Sequence, residues 1–199
     1  IWFGTVSVFA MDVDRCPLSE LSGLKKRFVA WLFLDEAHAI GVIGANGGGV
    51  AVVQGLGDDV EIQMGTLSKA LGVSGGYICG SWSLIDWLVN RARSFIYTTA
   101  PPPACVGAAL AAVEFLGSSE GEALRLVLWQ RIGILQKLLP SRTPALDGLA
   151  GGHSAITPWM VGDEQTAVDL SRSLQSQGFL VAAIRYPTVA KGSARLRIT

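Results

Sequence analysis

The chain has 199 residues, half of them hydrophobic, and its 16 basic and 16 acidic side chains leave no net formal charge. This length is enough to bury a core in one domain or one and a half, and the balanced charge argues weakly against a nucleic-acid-binding surface, which is usually basic. The 24 glycines fall in clusters without a repeat, as in loops and not as in a fibrous or low-complexity chain.

The first part of the chain alternates apolar strand patterns with helical patterns, which predicts an α/β fold around a mainly parallel sheet. The run 29–34 is continuously apolar, as a strand covered on both faces would be. In chain order, the pattern predicts strands at 1–9, 29–34, 59–64 and 76–81 and helices at 17–28, 83–95, 101–116 and 122–139, of which 101–116 should be mostly buried.

The pattern changes after the glycines at 151–152. Segments 154–163, 164–178, 179–184 and 193–199 predict strand, helix, strand and strand, an α+β arrangement. We therefore predict a larger domain at 1–144 and a smaller one at 145–199. Both ends of the chain fall inside predicted strands, so we expect the sequence to be part of a longer protein.

The cysteines and the apolar stretches indicate the cellular compartment of the protein and whether it binds a metal. Cys16, Cys79 and Cys105 are scattered and lack any metal-ligand spacing, so no metal site is predicted. We expect Cys79 and Cys105 to be small buried side chains in apolar surroundings, and scattered thiols fit a reducing cytoplasm. The longest apolar stretch, about 104–116, is too short to span a bilayer, and no signal peptide is expected.

The stretch WLFLDEAHAIG, residues 31–41, allows two interpretations. Asp-Glu-Ala-His after an apolar run is typical of the metal-holding motif of a nucleic-acid helicase. The same letters can end a strand in a pyridoxal-phosphate enzyme, where Asp35 would pair with the cofactor ring. The four residues alone do not decide between the two.

A second motif, MGTLSKALGVSGGYICGS at 64–81, places Lys69 among hydroxyls and small residues directly after a predicted strand. A lysine in such a place can form a Schiff base with an aldehyde. Thr66 and Ser68, with loop N–H groups, are suited to hold a phosphate. The alternative is a solvated lysine in a glycine-rich turn.

Together the two motifs favour pyridoxal phosphate, which needs a lysine for its aldehyde, a carboxylate for its ring nitrogen and donors for its phosphate. Asp35 at the carboxyl end of a parallel strand lies where α/β sheets bind ligands. A helicase would need a phosphate loop of the GxxxxGK[ST] type, and this sequence contains none. Lys69 would also have no role in a helicase.

The chain resembles the α-oxoamine synthases in four ordered stretches: LFLDEAHAIGVIGANGGGV, GTLSKALGVSGGYICGS, SFIYTTAPPPA and AIRYPTVAKGSARLRIT. That family comprises pyridoxal-phosphate enzymes of the aminotransferase fold type I, which condense an amino acid with an acyl thioester and release CO2. The resemblance implies part of the large cofactor domain followed by part of the small C-terminal α+β domain. It also implies a homodimer with the active site at the subunit interface.

The resemblance further implies a role for each matching residue. Lys69 would be the Schiff-base lysine and an acid/base at the substrate α-carbon, and Asp35 would pair with the pyridine nitrogen. His38 would hydrogen-bond the phenolic oxygen of the cofactor and assist catalysis. The remaining roles are phosphate binding by Thr66 and Ser68, phosphate binding in the neighbouring subunit by Thr98 or Thr99, and binding of the substrate carboxylate by Arg197, with Arg195 as the alternative arginine.

Three residues in VSVFAMDVD, residues 6–14, depart from the family pattern. Val6 replaces an acidic residue, and Ala10 replaces a serine expected to hydrogen-bond the cofactor. Val13 replaces a glycine, and a β-branched residue would be strained there if its φ is positive. The departures predict a retuned or weakened site.

Two substrate pairs remain open within the family. The motifs most resemble members that join L-alanine to a pimeloyl thioester, carried by CoA or a carrier protein, and the alternative is members that join glycine to acetyl-CoA. A third possibility, from another class, is an inactive fragment or a non-catalytic subunit, because some relatives keep the fold without its chemistry. The presence of Lys69, Asp35 and His38 argues against loss by substitution.

Overall fold

A computed structural model describes residues 1–139 and 154–199. The chain divides into two units, one formed by residues 1–8 and 16–125 and the other by residues 9–15 and 126–199. The domain boundary predicted between 144 and 145 lies outside the described residues.

The first unit is built on a four-stranded sheet with the strand order β1-β2-β3-β4. The first three strands are parallel to one another, and the fourth runs antiparallel to the third. Leu32 and Leu34 in the second strand are fully buried, but on its other face Trp31 is exposed and Phe33 is half-buried, so the prediction of a strand covered on both faces is wrong for the described residues. The strands are β1 at Trp2–Val6, β2 at Trp31–Asp35, β3 at Ile62–Thr66 and β4 at Gly76–Gly80.

Helices connect and follow these strands. The helix predicted at 83–95 is interrupted at Ala92, which has an extended backbone. The helices are α1 at Leu18–Phe28, α2 at Val50–Val53, α3 at Trp82–Arg91, α4 at Arg93–Ile96, α5 at Pro103–Leu116 and α6 at Ser119–Leu138, with short 3-10 turns at Ala45–Gly47 and Gly57–Asp59.

The expectation that 101–116 is mostly buried is wrong for the described part of the chain. No residue of α5 is buried, and Val106, Leu110 and Val113 are each more than half exposed. A helix that is apolar all round predicts that something covers it. The apolar pattern of α5 does not indicate whether the segment that covers it belongs to the same chain.

From residue 154 onward the second unit contains a three-stranded antiparallel sheet and a helix, in agreement with the predicted strand, helix, strand and strand, and it also includes the later part of α6. The order is β5-β7-β6, so the last strand is the central one. Asp163 begins the helix, since its carboxylate accepts the N–H of Thr166 at 2.8 Å. The elements are β5 at Thr157–Gly162, α7 at Glu164–Ser176, β6 at Ala182–Ile184 and β7 at Ala194–Ile198.

Two of the three thiols, Cys79 and Cys105, are less buried than predicted. Cys16 is buried, Cys105 is half-buried, and Cys79, on the outermost strand β4, is exposed, so the prediction of a buried Cys79 is wrong. Burial, and then the nearby Glu36 carboxylate, raise the pKa of the Cys16 thiol to about 11. Cys16 therefore stays protonated and unreactive at neutral pH.

Among residues 1–139 and 154–199, every helix is too short or too polar to pass through a bilayer.

Candidate active site

The candidate site lies at the carboxyl ends of the parallel strands of the first unit. Asp35 is the last residue of β2 and pairs in register with Val6 of β1 and Met64 of β3. Residues in register on neighbouring strands, and alternate residues on one strand, share a face of the sheet. Asp35, Met64 and Thr66, the last residue of β3, therefore project from the same face.

The Asp35 side chain is oriented by the backbone that follows it. Its Oδ1 accepts the N–H of Ala37 at 2.8 Å, and its main-chain oxygen accepts the N–H of Ser7 at 2.8 Å. The side chain is half-buried. The carboxylate is thus held at the strand end and not left to rotate freely.

His38 lies in a tight turn directly after Asp35. The turn is closed by two hydrogen bonds, because the N–H groups of Ala39 and Ile40 both donate to the carbonyl of Glu36, at 2.8 and 3.0 Å. His38 is half-buried, at the same sheet edge as Asp35. The structure therefore brings these two predicted site residues together.

Lys69 lies in the loop 67–75, which joins β3 to the antiparallel β4 as a hairpin. The loop is closed at its ends by the N–H of Leu67 donating to the carbonyl of Gly75 at 2.9 Å. Within it, the N–H of Gly72 donates to the carbonyl of Lys69 at 3.1 Å. The Lys69 side chain is exposed, so its amine is accessible from solvent.

The two predicted phosphate-binding hydroxyls are neighbours at the start of this loop. Thr66 Oγ1 and Ser68 Oγ are 2.8 Å apart, and the N–H of Ser68 donates to Thr66 Oγ1 at 3.3 Å. Thr66 also donates to the carbonyl of Gly75 at 3.1 Å. The pair lies one residue from Lys69 and presents a polar surface suited to an anion.

A backbone contact joins the Asp35 motif to the Lys69 motif. Gly41, at φ +80°, packs so closely on Ala70 that a Cβ at position 41 would lie 2.5 Å from the Ala70 Cβ. Only glycine allows both this backbone conformation and this approach. The turn that carries His38 therefore rests directly against the residue that follows Lys69.

The two candidate arginines lie in the second unit, on β7, and have different surroundings. Arg195 is buried, and its Nη1 donates to the carbonyl of Met11 at 2.8 Å and pairs with the Asp12 carboxylate at 2.5 Å. Arg197 has a buried Nε without a hydrogen-bond partner within the described residues. Of the two arginines, Arg195 already forms an ion pair within the protein.

Thr98 and Thr99 follow α4 in an exposed segment. Their role towards a neighbouring subunit stays a prediction, as do the roles of the other site residues.

The three residues that depart from the family pattern lie in different surroundings. Val6 pairs in register with Asp35, next to the ring-binding carboxylate proposed there. Ala10 lies in segment 9–15 of the second unit. Val13 has φ +67° and is only 2% exposed, which is the positive φ that makes a β-branched residue strained.

This strain predicts an unusual order of stability for substitutions at position 13. Val13→Ala removes buried methyl groups and should lower the free energy of unfolding by about 2 kcal/mol. Val13→Gly removes the whole buried side chain, but it also relieves the strain of a left-handed backbone conformation, which is about 1–2 kcal/mol. We expect the glycine variant to be the more stable of the two by about 1 kcal/mol. Urea denaturation measures the difference.

Val8 is the matched control, because it is fully buried and lies outside the positive-φ set. There the ordinary order should hold, with Val8→Gly less stable than Val8→Ala by about 1 kcal/mol. An ordinary order at both positions would show that Val13 is not strained.

Glu36 is a buried residue of the site that the sequence motifs do not single out. It is 1% exposed and accepts the N–H groups of Val50 and Ala51 at 3.0 and 2.8 Å. No periodicity signals this burial, because a charged residue next to Asp35 is expected at a polar strand end. The glycines at 47–49 were the available signal, since a carboxylate can approach a backbone closely only where no side chain intervenes.

Comparisons with known proteins identify the family of the chain. The family model for aminotransferase class I and II matches residues 2–199. The 8-amino-7-oxononanoate synthase of Methylobacterium sp. (strain 4-46) is 44% identical over 194 residues, which are 98% of this chain and 46% of the relative. The enzyme of the same name from Polaromonas naphthalenivorans is 45% identical over 199 residues, covering 98% and 49%.

Solved structures of related enzymes have the same fold as this chain. The serine palmitoyltransferase of Sphingomonas wittichii superposes with a TM-score of 0.90 at 28% identity, covering 100% of this chain and 49% of its own. The 8-amino-7-oxononanoate synthase of Francisella tularensis superposes with a TM-score of 0.79 at 29% identity, covering 98% and 56%.

The chain spans about half the length of the curated relatives it matches. The predicted fold class and the resemblance to the α-oxoamine synthases are confirmed, and the helicase interpretation of residues 35–38 is set aside. The chain belongs to the aminotransferase class I and II family.

Proposed function

We propose that the protein is a pyridoxal-phosphate-dependent acyltransferase that condenses L-alanine with a pimeloyl thioester to give 8-amino-7-oxononanoate, a step of biotin biosynthesis. The observation that carries the proposal is the Gly41–Ala70 contact, which holds the Asp35 and His38 turn against the Lys69 loop. The names of the two 8-amino-7-oxononanoate synthases compared above support the choice of substrates.

The residues present fit the cofactor. An accessible amine at Lys69, two hydroxyls 2.8 Å apart at Thr66 and Ser68, and an oriented carboxylate at Asp35 form the donor and acceptor set that pyridoxal phosphate requires. A serine palmitoyltransferase of this fold has been solved with the cofactor bound.

Each residue has a distinct task in this proposal. Lys69 would bond covalently to the aldehyde, and His38 would donate to the phenolic oxygen. Ser68 and Thr66 would donate to phosphate oxygens, with the Thr66 hydroxyl proton turned away from the Gly75 carbonyl. Asp35 would pair with the ring nitrogen and keep it protonated. When bound, the cofactor supplies an electron-withdrawing ring that acidifies the α-carbon of the amino acid.

The chain then positions the reacting groups. The Lys69 amine is the group that would take and return the proton at the α-carbon of the amino acid. That carbon attacks the thioester carbonyl, the thiol leaves, and the carboxyl group departs as CO2. Arg197, with its unpartnered Nε, binds the amino-acid carboxylate before that loss.

We further propose a cytoplasmic homodimer. All three cysteines are free, in keeping with a reducing compartment. The apolar residues left exposed on α5 are of the kind that subunit interfaces cover. Thr98 would then reach the phosphate bound in the neighbouring subunit.

The substrate pair is tested by mixing the native protein and pyridoxal phosphate with each donor and acceptor. L-alanine with pimeloyl-CoA should release thiol and CO2 in equal amounts, whereas glycine with acetyl-CoA should give neither. Thiol release followed with a chromogenic disulfide and CO2 from carboxyl-labelled amino acid measure the two products. Turnover of glycine with acetyl-CoA alone would instead assign the protein as a 2-amino-3-ketobutyrate CoA ligase. Turnover of neither pair would favour an inactive fragment or non-catalytic subunit.

A further inference from the structure

Glu36 is a buried carboxylate directly after Asp35, and it has no part in the proposed reaction. Its two oxygens accept the N–H groups of Val50 and Ala51, at the start of α2. Gly49 packs against the same carboxylate, since a Cβ at that position would lie 2.8 Å from the Glu36 Cδ. The side chain is therefore enclosed by the backbone of segment 49–51.

The main chain of Glu36 connects two further parts of the site. Its N–H donates to the carbonyl of Met64, near the end of β3, at 2.8 Å. Its carbonyl accepts the N–H groups of Ala39 and Ile40, which close the turn that holds His38. One residue thus ties together β3, the His38 turn and the start of α2.

The segment between the His38 turn and α2 is closed upon itself. Gly41 donates its N–H to the carbonyl of Gly47, and Gly49 donates to the carbonyl of Ile43, both at 2.8 Å. A Cβ at Gly47 would lie 2.7 Å from the Gly41 Cα, so the two backbones are in direct contact. A displacement at Gly49 is therefore passed to Gly41.

We propose that Glu36 is a positioning residue for Lys69. Its carboxylate fixes segment 49–51, that segment fixes Gly41, and Gly41 supports Ala70, the residue directly after Lys69. The effect of Glu36 on cofactor binding at Lys69 rests on the proposed function. The effect of Glu36 on the order of loop 67–75 does not depend on it.

A carboxylate suits this position because both groups that it meets are N–H donors. Each oxygen of Glu36 accepts one of them. In Glu36→Gln one oxygen becomes an NH2 group, which would face a donor and lose its hydrogen bond. The substitution keeps the size of the side chain, so it removes the interaction without opening a cavity.

The first measurement is hydrogen exchange in the native protein without cofactor. In E36Q, the amides of Leu67, Gly72 and Val73 should exchange about tenfold or more faster, since the hydrogen bonds of the loop lose their support. Amides within α7, in the second unit, should be unchanged. Faster exchange throughout α7 as well would indicate general destabilisation and would overturn the proposal.

A second variant tests the same path without touching Glu36. Gly41→Ala places a Cβ 2.5 Å from that of Ala70 and should speed loop exchange to a similar extent. Its matched control is Gly178→Ala, which has a similar positive φ of +89° but nothing within 4 Å of the new Cβ. Equal loop exchange in the Gly41 and Gly178 variants would contradict the proposed path, even if E36Q does not fold.

The third measurement is hydrogen exchange in the double variant. Because Glu36 and Gly41 act in one path, E36Q combined with Gly41→Ala should exchange no faster in the loop than the stronger single variant. Multiplicative effects would mean independent paths and overturn the proposal.

Titration with pyridoxal phosphate separates this inference from the proposed function. The midpoint of the pH titration of the bound cofactor's visible absorption should move in E36Q and in Gly41→Ala, but not in Gly178→Ala. If the unsubstituted protein does not bind the cofactor at Lys69, the proposed function fails, while the exchange measurements still decide whether Glu36 orders the loop.

Discussion

Lys69→Ala is expected to abolish the covalent attachment of pyridoxal phosphate and to lower turnover by about 10²–10⁴-fold, the usual contribution of a positioned acid/base. The reason is that the substitution removes both the bond to the aldehyde and the group that moves the α-carbon proton. Borohydride reduction followed by peptide mapping measures attachment. The reduced cofactor should be on the peptide containing Lys69 in the unsubstituted protein and absent from the variant.

Other lysines provide the controls. Lys191→Ala should leave attachment unchanged, because that amine lies 5.3 Å from the centroid of the Tyr186 ring and outside the Lys69 loop. Lys25 is engaged by the Asp59 carbonyl and the Glu61 carboxylate, and Lys26 pairs with the Asp59 carboxylate at 2.7 Å. Reduced cofactor on any of these three lysines would show that Lys69 has been assigned wrongly.

Arg197→Ala should raise the amino-acid concentration needed for half-maximal rate by roughly ten- to over a hundredfold. A charge-assisted contact to the substrate carboxylate contributes about 1.5–3 kcal/mol, and its loss has this effect on affinity. The visible absorption of the bound cofactor should not change, since the arginine contacts substrate and not cofactor. Steady-state kinetics with varied L-alanine measure the first effect, and absorption spectra the second.

Arg195 is the natural comparison on the same strand. It is 4% exposed and holds Asp12 and the Met11 carbonyl, so Arg195→Ala should lower the thermal midpoint and leave Asp12 without its partner. A variant of Arg197 that lost thermal stability while keeping its affinity for L-alanine would reverse the two assignments.

Sequence patterns were sufficient for the strands that position the site. The apolar run before Asp35 predicted β2, and the hydroxyls around Lys69 after β3 predicted the cofactor loop, because both signals are local in sequence.

Contacts between distant segments were not predictable in the same way. The approach of Gly41 to Ala70 and the burial of Glu36 depend on how two loops meet, and no periodicity encodes that meeting. The exposure of α5 and of Cys79 has a related cause. Apolar composition predicts that a surface will be covered, but it does not identify the covering segment.

The antiparallel direction of β4 has a consequence for affinity. Because the sheet holds both ends of loop 67–75, with Leu67 bonded to Gly75, the conformational entropy of this loop is lost when the chain folds. Ordering a residue costs about 1–2 kcal/mol at room temperature. A ligand that met a disordered segment would have to offset that cost from its own binding energy. Here the hairpin has already lost that freedom, so more of the intrinsic binding energy of a phosphate remains as measured affinity.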